Sequence, residues 1–236
     1  RFKMSIKSKK SEFDHFSTLA SEWWSKNGKF KILHDIQPIR IKYIKEALKK
    51  NKLNNTKILD IGCGGGLISE GLSKLGANVT GIDFIKKNIS IAKMHAKKNN
   101  LKINYLVKDF EKEKITSKYD AIIILEVLEH VNNWELFLKK IRVNLKKNGV
   151  LIISTINRNL ISKFLTLDIG ENLLKWIPNN THSFYKFIKP KELEYVLSAN
   201  NFKDIKFKGL TYDSLKLSWK ISDNIKINYF CSCVLN

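Results

Sequence analysis

Lys57-Ile58-Leu59-Asp60-Ile61-Gly62-Cys63-Gly64-Gly65-Gly66-Leu67 is an apolar, β-favouring run that enters a turn with glycine at four of five positions. The helical pattern Leu67-Ile68-Ser69-Glu70-Gly71-Leu72-Ser73-Lys74-Leu75 leaves that turn, and Val79-Thr80-Gly81-Ile82-Asp83 follows as a second short apolar run closed by an acid. Strand, glycine turn, helix, strand and acid in that order are the opening unit of a nucleotide-binding α/β fold. The rest of the chain is placed relative to this unit.

The glycine spacing selects the ligand. A dinucleotide fingerprint starting at Gly62 needs its third glycine at position 67, where Leu67 stands, and the glycines fall instead at 62, 64 and 66. A loop of this kind still lets a small ligand approach the backbone, because glycine has no Cβ and tolerates positive φ. Asp83, at the end of the second strand, is placed to accept hydrogen bonds from two ribose hydroxyls. This combination resembles the S-adenosylmethionine (SAM) site of the Rossmann-like methyltransferases.

At 236 residues and 43% hydrophobic, the chain is long enough for one buried core, which points to one α/β domain with additions. No uncharged apolar run is long enough to span a bilayer. The first residues, Arg1-Phe2-Lys3-Met4-Ser5, carry no apolar signal core. The three cysteines, Cys63, Cys231 and Cys233, have no metal-ligand spacing and fit a reducing cytoplasm. The formal charge of +21 would suit nucleic acid or an anionic membrane. Only four of the 43 basic residues are arginine, which argues against nucleic acid, since phosphate and base recognition favour the arginine fork.

Ahead of the first strand, Ser11 to Leu48 reads as helix with a break at Asn27-Gly28, a cover over the glycine loop in which Arg40 either reaches the SAM carboxylate or lies in solvent. The near-continuous apolar run Tyr119 to Leu125 is a parallel strand buried on both faces. It ends at Glu126-Val127-Leu128-Glu129-His130, at the same rim as Gly62 and Asp83. If the chain turns helical there, Glu126, Glu129 and His130 share a face and suit Mg²⁺; otherwise they shape the pocket and a helix start. His130 is also a candidate general base, and His182 a weaker one. Asp109 and Phe110, after the third strand, are candidates for an adenine contact. Residues 56–155 form the cofactor core behind a cover at 1–50. A long insertion at 158–190 carries apolar residues at helical spacing with flanking lysines, suited to a membrane surface or a greasy substrate. A helix and strands at 191–236 close a seven-stranded, mostly parallel sheet with one antiparallel strand.

Together, Leu59-Asp60-Ile61-Gly62-Cys63-Gly64-Gly65-Gly66, Glu126-Val127-Leu128-Glu129-His130, Ser154-Thr155-Ile156-Asn157-Arg158-Asn159, Thr181-His182 and Lys186-Phe187-Ile188-Lys189-Pro190 resemble the ubiquinone biosynthesis O-methyltransferases. The resemblance runs from about Phe13 to Tyr229 in unbroken order. It implies SAM-dependent methylation of phenolic hydroxyls on polyprenylated intermediates, at two steps of one synthesis. It further implies SAM contacts at Arg40, Gly62, Asp83 and Leu125, and divalent-metal ligands, Mg²⁺ among the candidates, at Glu126, Glu129 and His130. The expected catalytic residues are Glu126 and His130. The expected partners are the prenylated phenol, an anionic inner-membrane surface met by residues 160–183, and other enzymes of the same synthesis, with no nucleic acid. A cytoplasmic protein held peripherally at that membrane follows.

Overall fold

A computed structural model describes residues 20–159, 162, 184–213 and 216–236. The expected membrane insertion at 160–183, with His182, therefore lies outside the described residues apart from Ser162. Helix α1 (Lys31–Leu48) precedes the sheet. The core then alternates β1 (Lys57–Ile61), α2 (Leu67–Lys74), β2 (Asn78–Asp83), α3 (Lys86–Lys98), β3 (Asn104–Val107), β4 (Tyr119–Leu125), α4 (Trp134–Asn144) and β5 (Leu145–Ile156). Helix α5 (Pro190–Ala199) and strands β6 (Phe202–Asp213), β7 (Ser218–Ser222) and β8 (Asn228–Leu235) complete it.

The eight strands lie in the order β3-β2-β1-β4-β5-β8-β6-β7. The chain runs outward from β1 to β3, then returns to place β4 on the other side of β1, so the strand order reverses between β1 and β4. In open parallel sheets that crevice, beyond the carboxyl ends of the strands, is where ligands bind. Strands β1 to β5 pair in parallel, β8 runs antiparallel to β5, and β7 antiparallel to β6.

Two expectations need correction: the described sheet has eight strands, and two of them, β7 and β8, run against the rest. The extra strand is Ser218-Trp219-Lys220-Ile221-Ser222, an edge strand whose alternating polar residues give no apolar run. Its Trp219 meets Tyr212 of β6 edge to face at 5.3 Å.

The sheet is buried on both sides by strict alternation. Ile58, Ala121, Ile123 and Ile152 pack with Ile36, Tyr43 and Ile44 of α1 and Leu72 of α2. Leu59, Ile122, Ile124, Leu151 and Ile153 point the other way, into Phe137, Leu138 and Ile141 of α4 and Leu193 and Leu197 of α5. Period-two side chains on strands with helices on both faces require such a division. Helix starts follow local chemistry: Asn133 Oδ1 accepts the Leu136 N–H at 2.9 Å, and Pro190 opens α5 where no N–H is needed.

Candidate active site

The glycine loop is bent by backbone geometry that only glycine adopts cheaply. Gly62, Gly64 and Gly66 have φ of 72°, 53° and 88°. Gly62 and Cys63 donate their N–H groups to the Ile82 carbonyl at 2.8 and 3.0 Å, which ties the loop to the end of β2. There Asp83, 7% exposed, accepts the N–H of Gly64 at 3.0 Å and of Ile85 at 2.8 Å. Burial pushes the Asp83 carboxyl up, and those two N–H groups with the Asn88 amide pull it back.

Asp60, behind the loop, is pushed up to about 6 by burial, against the hydrogen bond from Ser69 Oγ at 2.6 Å. A Cβ on Gly62 would stand 2.4 Å from Val127 Cγ2, so this loop abuts the exit of β4.

The exit of β4 is the second half of the site. Leu125, half-buried, ends the strand, and Glu126 takes φ of 56°, a left-handed conformation uncommon for residues with a Cβ. This turns the Glu126 carboxylate to where Oε1 accepts from Arg40 Nη2 at 3.1 Å, Ser154 Oγ at 2.7 Å and Asn228 Nδ2 at 3.3 Å. Arg40, on α1 and 5% exposed, therefore lies inside the rim rather than in solvent. Burial lowers its guanidinium pKa and Glu126 raises it again. Its Nε is buried with no hydrogen-bond partner among the described residues.

Glu129 is 2% exposed and accepts from Thr155 Oγ1 at 2.9 Å. Burial and then the neighbouring Glu126 carboxylate push its carboxyl well above the usual range, which disfavours its charged form.

Glu126, Glu129 and His130 do not share a helical face. The stretch Leu128–His130 is a single 3-10 turn, Glu126 precedes it with a left-handed φ, and both carboxyls meet β5, Glu126 at Ser154 and Glu129 at Thr155. Among the described residues no three His, Cys, Asp or Glu side chains are grouped to hold a metal ion. The donor set for Mg²⁺ is therefore not assembled in this structure.

Phe110 also departs from expectation. It is 4% exposed, packs edge to face on Phe137 at 5.0 Å and carries Lys140 Nζ over its ring at 4.9 Å, so it serves the core rather than an adenine. Asn88 and Asn228 enter the site without any motif to announce them, while Ser154 and Thr155 open the Ser154–Asn159 block. Asn228 stands 102 residues from Glu126 in sequence.

SAM can be tested against these residues. An unpartnered buried guanidinium Nε suits a carboxylate, and an acid at the end of β2 beside positive-φ glycines suits a ribose. The residues present fit the group.

A family model described as a methyltransferase domain matches residues 31–206. The ubiquinone biosynthesis O-methyltransferase of Pelagibacter ubique (strain HTCC1062) is 46% identical over 96% of this chain and 98% of its own. That of Rickettsia canadensis (strain McKiel) is 44% identical over 94% of each chain. Among solved structures, the magnesium protoporphyrin IX methyltransferase of Synechocystis PCC 6803 with bound SAM superposes with a TM-score of 0.67. It covers 97% of both chains at 19% identity, which shows a shared fold.

Proposed function

The chain belongs to the ubiquinone biosynthesis O-methyltransferases, and we infer that it transfers the methyl group of SAM to phenolic hydroxyls of polyprenylated ubiquinone precursors. The observation that carries the assignment of the reacting centre is the Arg40–Glu126 pair, a buried guanidinium on a half-buried carboxylate, built on a strained residue at the carboxyl end of β4.

When bound, SAM supplies an electrophilic methyl group for in-line displacement by oxygen. The residues of the chain aim the acceptor and manage its proton. Arg40 would hold the SAM carboxylate through its unpartnered Nε, and Asp83 with the Gly62 loop would hold the ribose. Leu125 closes β4 just ahead of Glu126.

A phenol with an ordinary pKa near 10 is mostly protonated at neutral pH, so the rate depends on where its proton goes. Glu126, ion-paired with Arg40, and His130, four residues on, are the candidate proton acceptors. Burial raises the Glu129 carboxyl and so disfavours a second negative charge beside Glu126. That keeps the Arg40–Glu126 pair near neutral overall and the rim hospitable to a phenol about to become anionic.

Among the described residues no helix is long and apolar enough to cross a membrane. The greasy tail of the substrate calls for access from a bilayer, and the apolar, lysine-flanked sequence of residues 160–183 supports a peripheral, inner-membrane location with that segment as the contact. Residues 1–50 act as cover, 56–155 as cofactor core and 191–236 as closing layer. Neighbouring enzymes of the same synthesis are the partners expected at such a surface.

The test is methyl transfer from labelled SAM to a short-chain 3-demethylubiquinol analogue, by wild type and Asp83→Ala, with Mg²⁺ and with chelator. Turnover by wild type that fails in Asp83→Ala is expected. Loss of wild-type turnover on chelation would return Glu126, Glu129 and His130 to the role of metal ligands. SAM binding with no turnover on any prenylated phenol would overturn the substrate class.

A further inference from the structure

Trp23 and Trp24, just ahead of α1, make contacts with the glycine loop that the transfer reaction itself does not require. The Trp23 indole is held between Phe30, stacked at 4.2 Å with 6° between the rings, and the backbone of Gly64 and Gly65. A Cβ on either glycine would come within 2.4 Å of Trp23. Gly65 has no positive φ, so the indole, rather than backbone conformation, demands glycine there. Trp24 Nε1 donates to the Gly65 carbonyl at 3.0 Å while its ring stacks on His95 at 3.3 Å. The Trp23 carbonyl in turn meets His34 Nε2 at 2.9 Å, on the helix that carries Arg40.

The polar end of Trp23 reaches further. Its Nε1 donates to Asn88 Oδ1 at 3.0 Å, and the amide of Asn88, 2% exposed on α3, neighbours the Asp83 carboxylate and favours its charged form. An indole N–H can only donate, and an ionised carboxylate can only accept. Between them the Asn88 amide has one workable orientation, with oxygen toward Trp23 and NH₂ toward Asp83. Without the indole N–H, that amide is free to turn its oxygen on Asp83, which repels the carboxylate and displaces it.

We propose that Trp23 and Asn88 are a cofactor-positioning pair: the indole fixes the Asn88 amide, and the amide fixes Asp83 for the ribose. Docking of the N-terminal cover and binding of SAM are then one linked equilibrium, each favouring the other by the same factor. This rests on the reading of Asp83 as the SAM ribose acceptor.

Trp23→Phe keeps the aromatic packing and deletes the N–H; Asn88→Ala deletes the relay. The experiment measures SAM affinity by calorimetry, together with kcat and KM for SAM and for the short-chain demethylubiquinol. Loss of one hydrogen bond of this kind predicts SAM Kd and KM raised about 3- to 10-fold in Trp23→Phe. The kcat at saturating SAM and the KM for the phenol stay within about twofold of wild type, which general unfolding would not allow. In the Asn88→Ala background Trp23→Phe adds nothing, because both act through one relay.

Wild-type SAM affinity in Trp23→Phe, or effects of the two changes that multiply independently, would overturn the pair. Should Trp23→Phe fold poorly, Asn88→Ala against Asn88→Asp, which sets a carboxylate against Asp83, decides: equal SAM affinity in both overturns it, and a weaker Asn88→Asp supports it. A wild-type protein that does not bind SAM would instead sink the ribose reading on which the pair depends.

Discussion

The two halves of the rim treat their charges differently. At the glycine loop, Asp83 is answered by two backbone N–H groups and an amide, and the loop is packed by Trp23, Val127 and Tyr105. At the exit of β4, a buried guanidinium and a buried carboxyl gather around the half-buried Glu126, which carries a positive φ, and Arg40 Nε and Asn228 Oδ1 have no hydrogen-bond partner among the described residues. Polar atoms left unpaired in the interior cost free energy, and proteins keep them where a ligand completes the set. The loop is a finished cradle; the β4 exit is a site that needs its substrates to be complete.

The largest test of this contrast removes the cation. Arg40→Met leaves the Glu126 carboxylate with no compensating charge, and a loss of about 3–5 kcal/mol in urea unfolding at pH 7.5 is expected. Adding Glu126→Gln should restore part of it. A loss below about 1 kcal/mol would mean that the charges at the β4 exit are not coupled as the structure shows.

The second test lies behind the loop, at Asp60. Its folded pKa, about 6, stands above the ordinary value because burial disfavours the charge. The folded protein then binds the proton more tightly than the unfolded chain, so this group's contribution is fully present below about pH 4 and lost as pH rises through 6. Asp60→Asn keeps an oxygen for Ser69 and avoids the buried charge. It should match wild type near pH 4 and exceed it by up to about 3 kcal/mol at pH 8 in denaturation midpoints followed against pH. A difference that is flat with pH would contradict the assignment.

Gly65→Ala is next. Its methyl meets the Trp23 ring without any backbone strain, so a loss of about 1–3 kcal/mol and faster proteolysis near residues 23–30 are expected. Unchanged proteolysis would mean that the cover does not bear on the loop. The smallest effect belongs to Lys31→Ala. Its partner Asp35 lies at 2.6 Å, yet both side chains are largely exposed, and a change within about 0.5 kcal/mol that disappears in high salt is expected.

The same contrast separates what the sequence discloses from what it does not. Gly62, Asp83 and the strands around them are spelled by local periodicity and glycine spacing, because one βαβ unit makes them. Glu126 is legible as the residue at a strand end, but its φ and its partners are not. Ser154 arrives from β5 and Asn228 from β8, and only the sheet order brings those strands beside β4. The helical face expected for Glu126, Glu129 and His130 is missing for a local reason of the same kind. A helical turn after β4 would align Glu126 with Glu129 and His130, whereas the left-handed Glu126 sends its carboxylate to Arg40. Edge strand β7 escapes notice because its alternation carries serine and lysine rather than an apolar face that must be buried.

The central claim is that chemistry happens at the β4 exit while the loop holds the cofactor. It is tested most directly by Glu126→Gln, assayed for methyl transfer to the short-chain demethylubiquinol beside a SAM titration of the same protein. The account predicts a rate lower by about 100-fold or more, as for a lost proton acceptor, with SAM affinity within about threefold of wild type. Turnover near the wild-type rate would contradict it and move the reacting centre away from Glu126.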